Sequence, residues 1–293
     1  MPIDHRILTS SAFVGQPLAD DRFDFHGSGF FVFLQQGDRS ITYFVTAHHV
    51  VNEMWDDPSA PWPPLGKIFL RINRTGGRTP FLLETERSEW LYHGDRHMVD
   101  ICAFAIDEDK YDFHREFDVG ILNIENLSVD GVPPFTPKYS LMLGDAVFIT
   151  GAFSGHFGET KNVPIVRQGN IAAMLDGPLE NGSPARPTYL VETRSLGGIS
   201  GSPIFFDPNS RHGRSGMGFG PVAVTDSTTG QTSPATTIFP YRLVGMVLSM
   251  FRIDDVDSVV TDVRRRHPDA DFNTGISVAM PVSQIIDFLK SPR

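Results

Sequence analysis

An all-β fold is what the sequence predicts, on three observations. The 293 residues are rich in turn formers, with 27 Gly and 22 Pro. Aromatic residues make up 11% of the chain and Val, Ile and Thr recur in runs, a composition that suits pleated strands better than helices. Short apolar or alternating runs follow one another between turn signals along the whole length, the pattern of sandwiches and barrels rather than of a parallel βαβ sheet.

In chain order the runs fall at 29–34, 41–46, 68–72, 81–83, 100–106, 147–150, 165–171, 188–192, 203–206, 243–249 and 275–279. Helical spacing is clearest at the end, where Ile285, Ile286 and Leu289 follow Pro281 and Ser283, so a short C-terminal helix is expected there. A single helical turn is expected within 49–55. The Pro/Gly-rich run 130–138 reads as a connection, with an interdomain linker at 131–138 between modules 1–130 and 139–293. A second such stretch, 207–240, is too long for a plain loop and reads as a surface insertion or as the carrier of a hairpin.

Composition excludes several classes of function. A hydrophobic content of 40% with 20% charged residues is that of a soluble globular chain able to bury a sizeable core. The net charge of −10 argues against a nucleic-acid partner, because phosphate binding needs a clustered positive field. The one basic cluster, Arg264-Arg265-Arg266-His267, is short and reads as a solvated face. With one cysteine, Cys102, no intrachain disulfide can form, and the fold tolerates a reducing compartment. Residues 1–20 lack the basic start and apolar run of a secretion signal, and no window approaches the roughly 18 apolar residues of a membrane span. A cytoplasmic location without membrane contact is expected; the oligomeric state is not legible.

Three segments carry potential chemistry. Leu196-Gly197-Gly198-Ile199-Ser200-Gly201-Ser202-Pro203 is a small-residue turn before an apolar strand. Such a turn exposes a serine hydroxyl and lets the N–H groups of Gly198 and Ser200 converge on one oxygen, although Gly/Ser loops before strands are commonly plain turns. His48 and His49 stand where the apolar run 43–47 breaks, which by itself says only that one of the two faces inward. Asp100 heads the apolar run 101–106, where a carboxylate needs a hydrogen-bonding partner such as a histidine N–H or a strand-capping amide. His93 and His97 are four apart, but Gly94 lies between them and no His-Glu-x-x-His pattern is present, so no metal site is expected.

Together these segments resemble the trypsin-like peptidase superfamily, above all its disulfide-free bacterial and viral branches, including the HtrA type. The run 44–50 is similar to the family's strand ending in Thr-Ala-x-His, which selects His49 over His48. The run 100–106 is similar to its Asp-Ile-Ala strand, and the run 198–203 to its Gly-x-Ser-Gly-Gly-Pro loop, with Ser202 in place of the second glycine. Gly27-Ser28-Gly29-Phe30-Phe31 resembles the strand before the histidine, and 144–151, 166–172, 243–249 and 275–281 resemble strands of the second barrel. The order His, Asp, Ser is that of chymotrypsin, unlike the orders of α/β-hydrolases and subtilisins.

The resemblance implies two six-stranded antiparallel β-barrels with a site between them. It implies a serine endopeptidase in which His49, Asp100 and Ser200 act as the relay, Gly198 and Ser200 bind the oxyanion, and Val247, Leu248 and Ser249 pair with an extended peptide. Substrates would be proteins or peptides, and no cofactor is needed. Asp118 competes for the acid role, since it too precedes an apolar run; Ala103 and the turn at 93–95 fit the family better for Asp100. Six residues before Ser200, where the family places the base of its specificity pocket, stands Arg194, which would favour acidic side chains; a one-residue difference in the loop would instead put Ser195 there, in an apolar pocket. Ile199 replaces the acid with which animal relatives capture a freshly cut N-terminus, so that activation switch is absent. A catalytically silent peptide-binding or sensor module of the same fold is the alternative.

Overall fold

The structure is a computed structural model that describes residues 3–18, 23–52, 66–95, 99–129, 140–153, 158, 160–176, 187–193, 198–208, 224–225, 232–233, 241–252 and 273–290. The expected linker at 131–138 and most of the 207–240 stretch lie outside the described residues.

The first half of the chain builds one sheet from β1 (Ser11–Pro17), β2 (Phe23–Gln36), β3 (Arg39–Thr46), β4 (Lys67–Ile72), β5 (Phe81–Glu86), β6 (Leu91–Tyr92), β7 (Cys102–Ala105) and β8 (Leu122–Asn123). Its order is β5-β4-β1-β2-β3-β7-β6, with β8 pairing parallel to β2. The two edge strands, β5 and β6, are separated in the chain only by residues 87–90, which span at most about 17 Å. The sheet must therefore curl until its edges adjoin. Since β6 has only two residues, the resulting half-barrel has no ladder across that edge among the described residues, and its eight strands replace the expected closed six.

The second half forms the expected closed six-stranded barrel, β10-β11-β16-β15-β12-β9. Its strands are β9 (Ala146–Gly151), β10 (Ile165–Leu175), β11 (Thr188–Thr193), β12 (Pro203–Phe206), β15 (Arg242–Arg252) and β16 (Asn273–Pro281). Between β12 and β15, β13 (Val224–Thr225) pairs with β14 (Thr232–Ser233), so the long insertion does contain a short hairpin-like pair. The chain is thus mostly β, a half-barrel followed by a closed barrel, with few helices.

Local sequence explains the elements that matter for the site. β2 and β3 pair from Phe30↔Val45 to Gln36↔Arg39 around the two-residue turn Gly37-Asp38, and β3 is built from β-branched and aromatic residues. Their buried faces pack Phe31 against Phe44 at 5.0 Å and Phe44 against Trp90 at 6.2 Å between ring centroids. In the barrel, Val147, Ile149, Val191, Ile204, Phe205, Met246 and Val247 are buried in the same apolar cluster.

The C-terminal helix Val282–Lys290 buries Val282, Ile285, Phe288 and Leu289. It reaches the first half of the chain: Gln36 Nε2 donates to Leu289 O at 3.1 Å, and Lys290 pairs with Glu125. No helix of the described residues is long and apolar enough to cross a membrane.

Candidate active site

The site begins with a strand register. In the antiparallel pair β3–β7, Thr46 lies opposite Cys102. Moving forward from Thr46 and backward from Cys102 leads to the same end of the ladder, so His49 and Asp100 emerge side by side. There β3 breaks into the helical turn His48–Val51, which buries His48 completely against the ring of Tyr92, 4.9 Å away between centroids. His49, one residue on, faces the other way, with its side chain 28% exposed.

Asp100 is buried and holds His49 twice. Its Oδ1 accepts from the His49 backbone N–H at 3.0 Å, one of the donors left open at the start of a helical turn. Its Oδ2 lies 2.7 Å from His49 Nδ1. An ionised carboxylate can only accept, so this contact puts a ring N–H on Nδ1. Directly behind the pair, the Cys102 thiol is fully buried, and burial pushes its pKa well up. The competing acid is elsewhere: Asp118 donates its N–H to Asn73 O, and its half-exposed carboxylate is 3.9 Å from His5.

Ser200 comes from the barrel. Ser202 N–H donates to Ile199 O at 2.9 Å, closing a four-residue turn in which Gly201 has φ +81. A positive φ at the third position is the signature of a type II turn and calls for glycine. The pinned Ile199 carbonyl faces into the turn, so the N–H of Ser200, on the opposite side of the same planar peptide, faces out of it. The turn is then sewn to β15, where Gly201 N–H donates to Val247 O at 2.8 Å and Val247 N–H to Ser202 O at 2.9 Å.

The two halves meet at β2. A Cβ on Gly27 would sit 2.7 Å from Val50, in the helical turn of His49, and 3.0 Å from Ser200 O. Only a residue without a side chain lets the histidine turn and the serine turn close on the same strand. Ser28 N–H donates to Ser200 O at 2.8 Å, and Ser28 Oγ to Gly198 O at 3.0 Å. Ser202, in place of the family's glycine, is accommodated because Gly151 opposite it has no side chain; a Cβ there would lie 1.9 Å from Ser202 Oγ.

A separate polar clasp joins the halves away from this seam. Arg71 of β4, buried, donates to Asn162 Oδ1 at 2.7 Å and to Gly158 O at 2.9 Å. Asn73 Nδ2 donates to Asn162 O at 3.1 Å. Burial holds the Arg71 pKa below its ordinary value.

Of the residues expected to bind substrate, Arg194 and Ser195 lie outside the described residues. Val247 has both backbone groups engaged by the serine turn and its side chain buried. Leu248 is half-buried and Ser249 exposed, just past that engaged residue. His93 Nδ1 accepts from Asp95 N–H at 3.0 Å, while His97 is outside the described residues. Sequence reasoning did not single out Ser28 or Thr46, which stitch the seam; the available signal for Ser28 was a hydroxyl between two glycines, directly before an apolar run.

A family model described as a trypsin-like peptidase domain matches residues 27–211, more than half of the chain. No curated protein sequence matches significantly. Among solved structures the chain is similar to the MamO protease domain from Magnetospirillum magneticum, apo form, at 14% identity and TM-score 0.46, over 98% of this chain and 99% of that one. It is also similar to the Rv3671c protease in an inactive form, at 14% identity and TM-score 0.40, over 97% of this chain and 88% of that one. An inactive serine-to-alanine mutant of Rv3671c from M. tuberculosis matches at 13% identity and TM-score 0.41, over 98% and 90% of the two chains.

Proposed function

Since the chain belongs to the trypsin-like peptidase family, we propose that it is an active serine endopeptidase in which Ser200 attacks the scissile carbonyl of a protein or peptide substrate. His49 Nε2 takes the hydroxyl proton and returns it to the leaving amine. Asp100 keeps the imidazole in the needed tautomer and stabilises the imidazolium. The N–H groups of Gly198 and Ser200 stabilise the oxyanion, and water then hydrolyses the acyl-enzyme.

The observation that carries this reading is the pair of contacts that the Asp100 carboxylate makes to His49, accepting from the backbone N–H at 3.0 Å and meeting the ring Nδ1 at 2.7 Å. A buried carboxylate that orients a partly exposed histidine is the arrangement a general base requires. The extended substrate would pair along Leu248 and Ser249, beyond Val247.

A fluorophosphonate probe tests the reading, because it labels only an activated serine. Labelling lost in Ser200→Ala is expected; an unlabelled wild-type chain would make this a silent peptide-binding member of the fold. Peptide-library profiling addresses specificity. No acid stands between Thr193 and Ile199, so substrates with Lys or Arg before the scissile bond should be poor, and strong cleavage after either would overturn that expectation. Cleavage after Glu that disappears in Arg194→Ala would identify Arg194 as the selecting residue. A cytoplasmic site of action belongs to the same proposal, supported by a fold that needs no disulfide, and cell fractionation checks it.

A further inference from the structure

Ser28 is completely buried, and each of its hydrogen-bonding groups is used. Its N–H donates to Ser200 O at 2.8 Å and its hydroxyl to Gly198 O at 3.0 Å. The hydroxyl oxygen accepts from Ala152 N–H, just past β9, at 2.7 Å, and the Ser28 carbonyl accepts from Thr46 Oγ1 at 2.6 Å. Four segments thus converge on one residue: the serine turn, the end of β9, the end of β3 that leads into His49, and β2 itself.

The geometry of the turn gives this convergence a consequence. Gly198 O and Ser200 O are two residues apart and both point at Ser28, so the backbone between them is gripped at both ends. Between those grips lie the Ser200 N–H and the bond from which Ser200 Oγ projects. Gly198 has φ +93, a conformation that a glycine can leave easily, so its carbonyl needs an external partner to stay in place. The Ser28 hydroxyl is that partner, and Ala152 N–H fixes the hydroxyl's own direction by occupying its acceptor side.

We infer that Ser28 is a positioning residue, whose hydroxyl sets the alignment of Ser200 and its neighbouring N–H donors against His49. This rests on the reading of Ser200 as nucleophile. Ser28 touches no reacting atom; it acts by keeping the turn in register, and misplacement by about 1 Å can cost on the order of 10²-fold in rate.

The test compares Ser28→Ala with Ser11→Ala in the full chain. Ser11 Oγ makes a buried contact across the same two halves, 3.1 Å to Thr150 O, without touching the serine turn. Saturation kinetics of fluorophosphonate labelling are measured for both, with thermal midpoints. Ser28→Ala is expected to lower the maximal labelling rate by about 10-fold to 100-fold with half-saturation nearly unchanged, whereas Ser11→Ala lowers only the midpoint. Ser28→Cys, which keeps a weak donor in the same place, should fall between Ser28→Ala and wild type, and it serves as the reading if Ser28→Ala does not fold. Wild-type labelling rates in Ser28→Ala or Ser28→Cys, or equal rate losses in Ser28→Ala and Ser11→Ala, would overturn the inference alone. A wild-type chain that is not labelled overturns the peptidase reading and this inference with it.

Discussion

The half of the site that carries His49 and Asp100 and the half that carries Ser200 are held by different means. The first is internal to one sheet: the Thr46↔Cys102 register delivers both residues to one ladder end, and two hydrogen bonds accepted by one carboxylate finish the arrangement. The second is a turn held by partners on two sides, β15 of its own barrel and β2 of the half-barrel. Strand register is an all-or-none property, since a one-residue slip would exchange the two faces of a strand. A turn held by a few hydrogen bonds can shift by fractions of an ångström. The relay pair is therefore robust, and the alignment of the serine is the part of the site open to adjustment.

The comparison is sharpened most by removing the groups proposed to react. Ser200→Ala and His49→Ala should each lower peptide hydrolysis by on the order of 10⁶-fold; Ser200→Ala should change the thermal midpoint little, whereas His49→Ala takes the ring donor from the buried Asp100 carboxylate and should lower it. Purified Ser200→Ala that still hydrolyses casein would break the assignment of the serine half. Within the relay half, Asp100→Asn should cost roughly 10⁴-fold in turnover through the wrong histidine tautomer. Asp118→Asn, beside His5 and away from His49, should change turnover little; the reverse ranking would move the acid role to Asp118.

Smaller effects separate general cohesion of the two halves from alignment of the site. Asn162→Ala removes an acceptor of the buried Arg71 guanidinium and should destabilise the chain by about 1–3 kcal/mol in urea titration, with turnover at saturating substrate nearly unaffected. A large loss of turnover would show that the clasp also sets the site. Smallest is Ser202→Ala. The Ser202 hydroxyl is fully buried with no hydrogen-bond partner among the described residues, so its removal should stabilise by up to about 1 kcal/mol, read as a higher urea midpoint. A lower midpoint would mean that the hydroxyl makes a stabilising contact.

Much of the fold was legible because long strands announce themselves. Every apolar run anticipated as a strand is one, and the C-terminal helix begins directly after Pro281. What escaped has physical reasons. β1 is buried along Ser11–Gly15, flanked by β2 and β4, so its pattern does not alternate. β6 and β8 have two residues each and carry no periodicity. The half-barrel's lack of a closing ladder is likewise a property of β6's length.

At the site, the residue types were visible and their partners were not. Two acids stood before apolar runs, and only the pairing of β3 with β7 places Asp100 beside His49. The engagement of Val247 by the serine turn was also hidden, since a residue's backbone partners do not show in its side chain.

The Cys102 thiol, sealed under the Asp100–His49 pair, gives the molecule a built-in clock. Its Sγ faces the carbonyls of Thr46 and Ala47 at 3.9 and 3.8 Å, and its strand lies between β3 and β6, so a reagent reaches it only when the sheet around β7 opens. As the chain's single cysteine it reports from one position without background. At reagent concentrations high enough that every opening is trapped, the alkylation rate becomes independent of reagent and equals the rate at which the sheet around β7 opens. At lower concentrations the same thiol reads the equilibrium population of the opened form. The frequency with which the sheet around β7 opens can thus be followed in the unmodified chain.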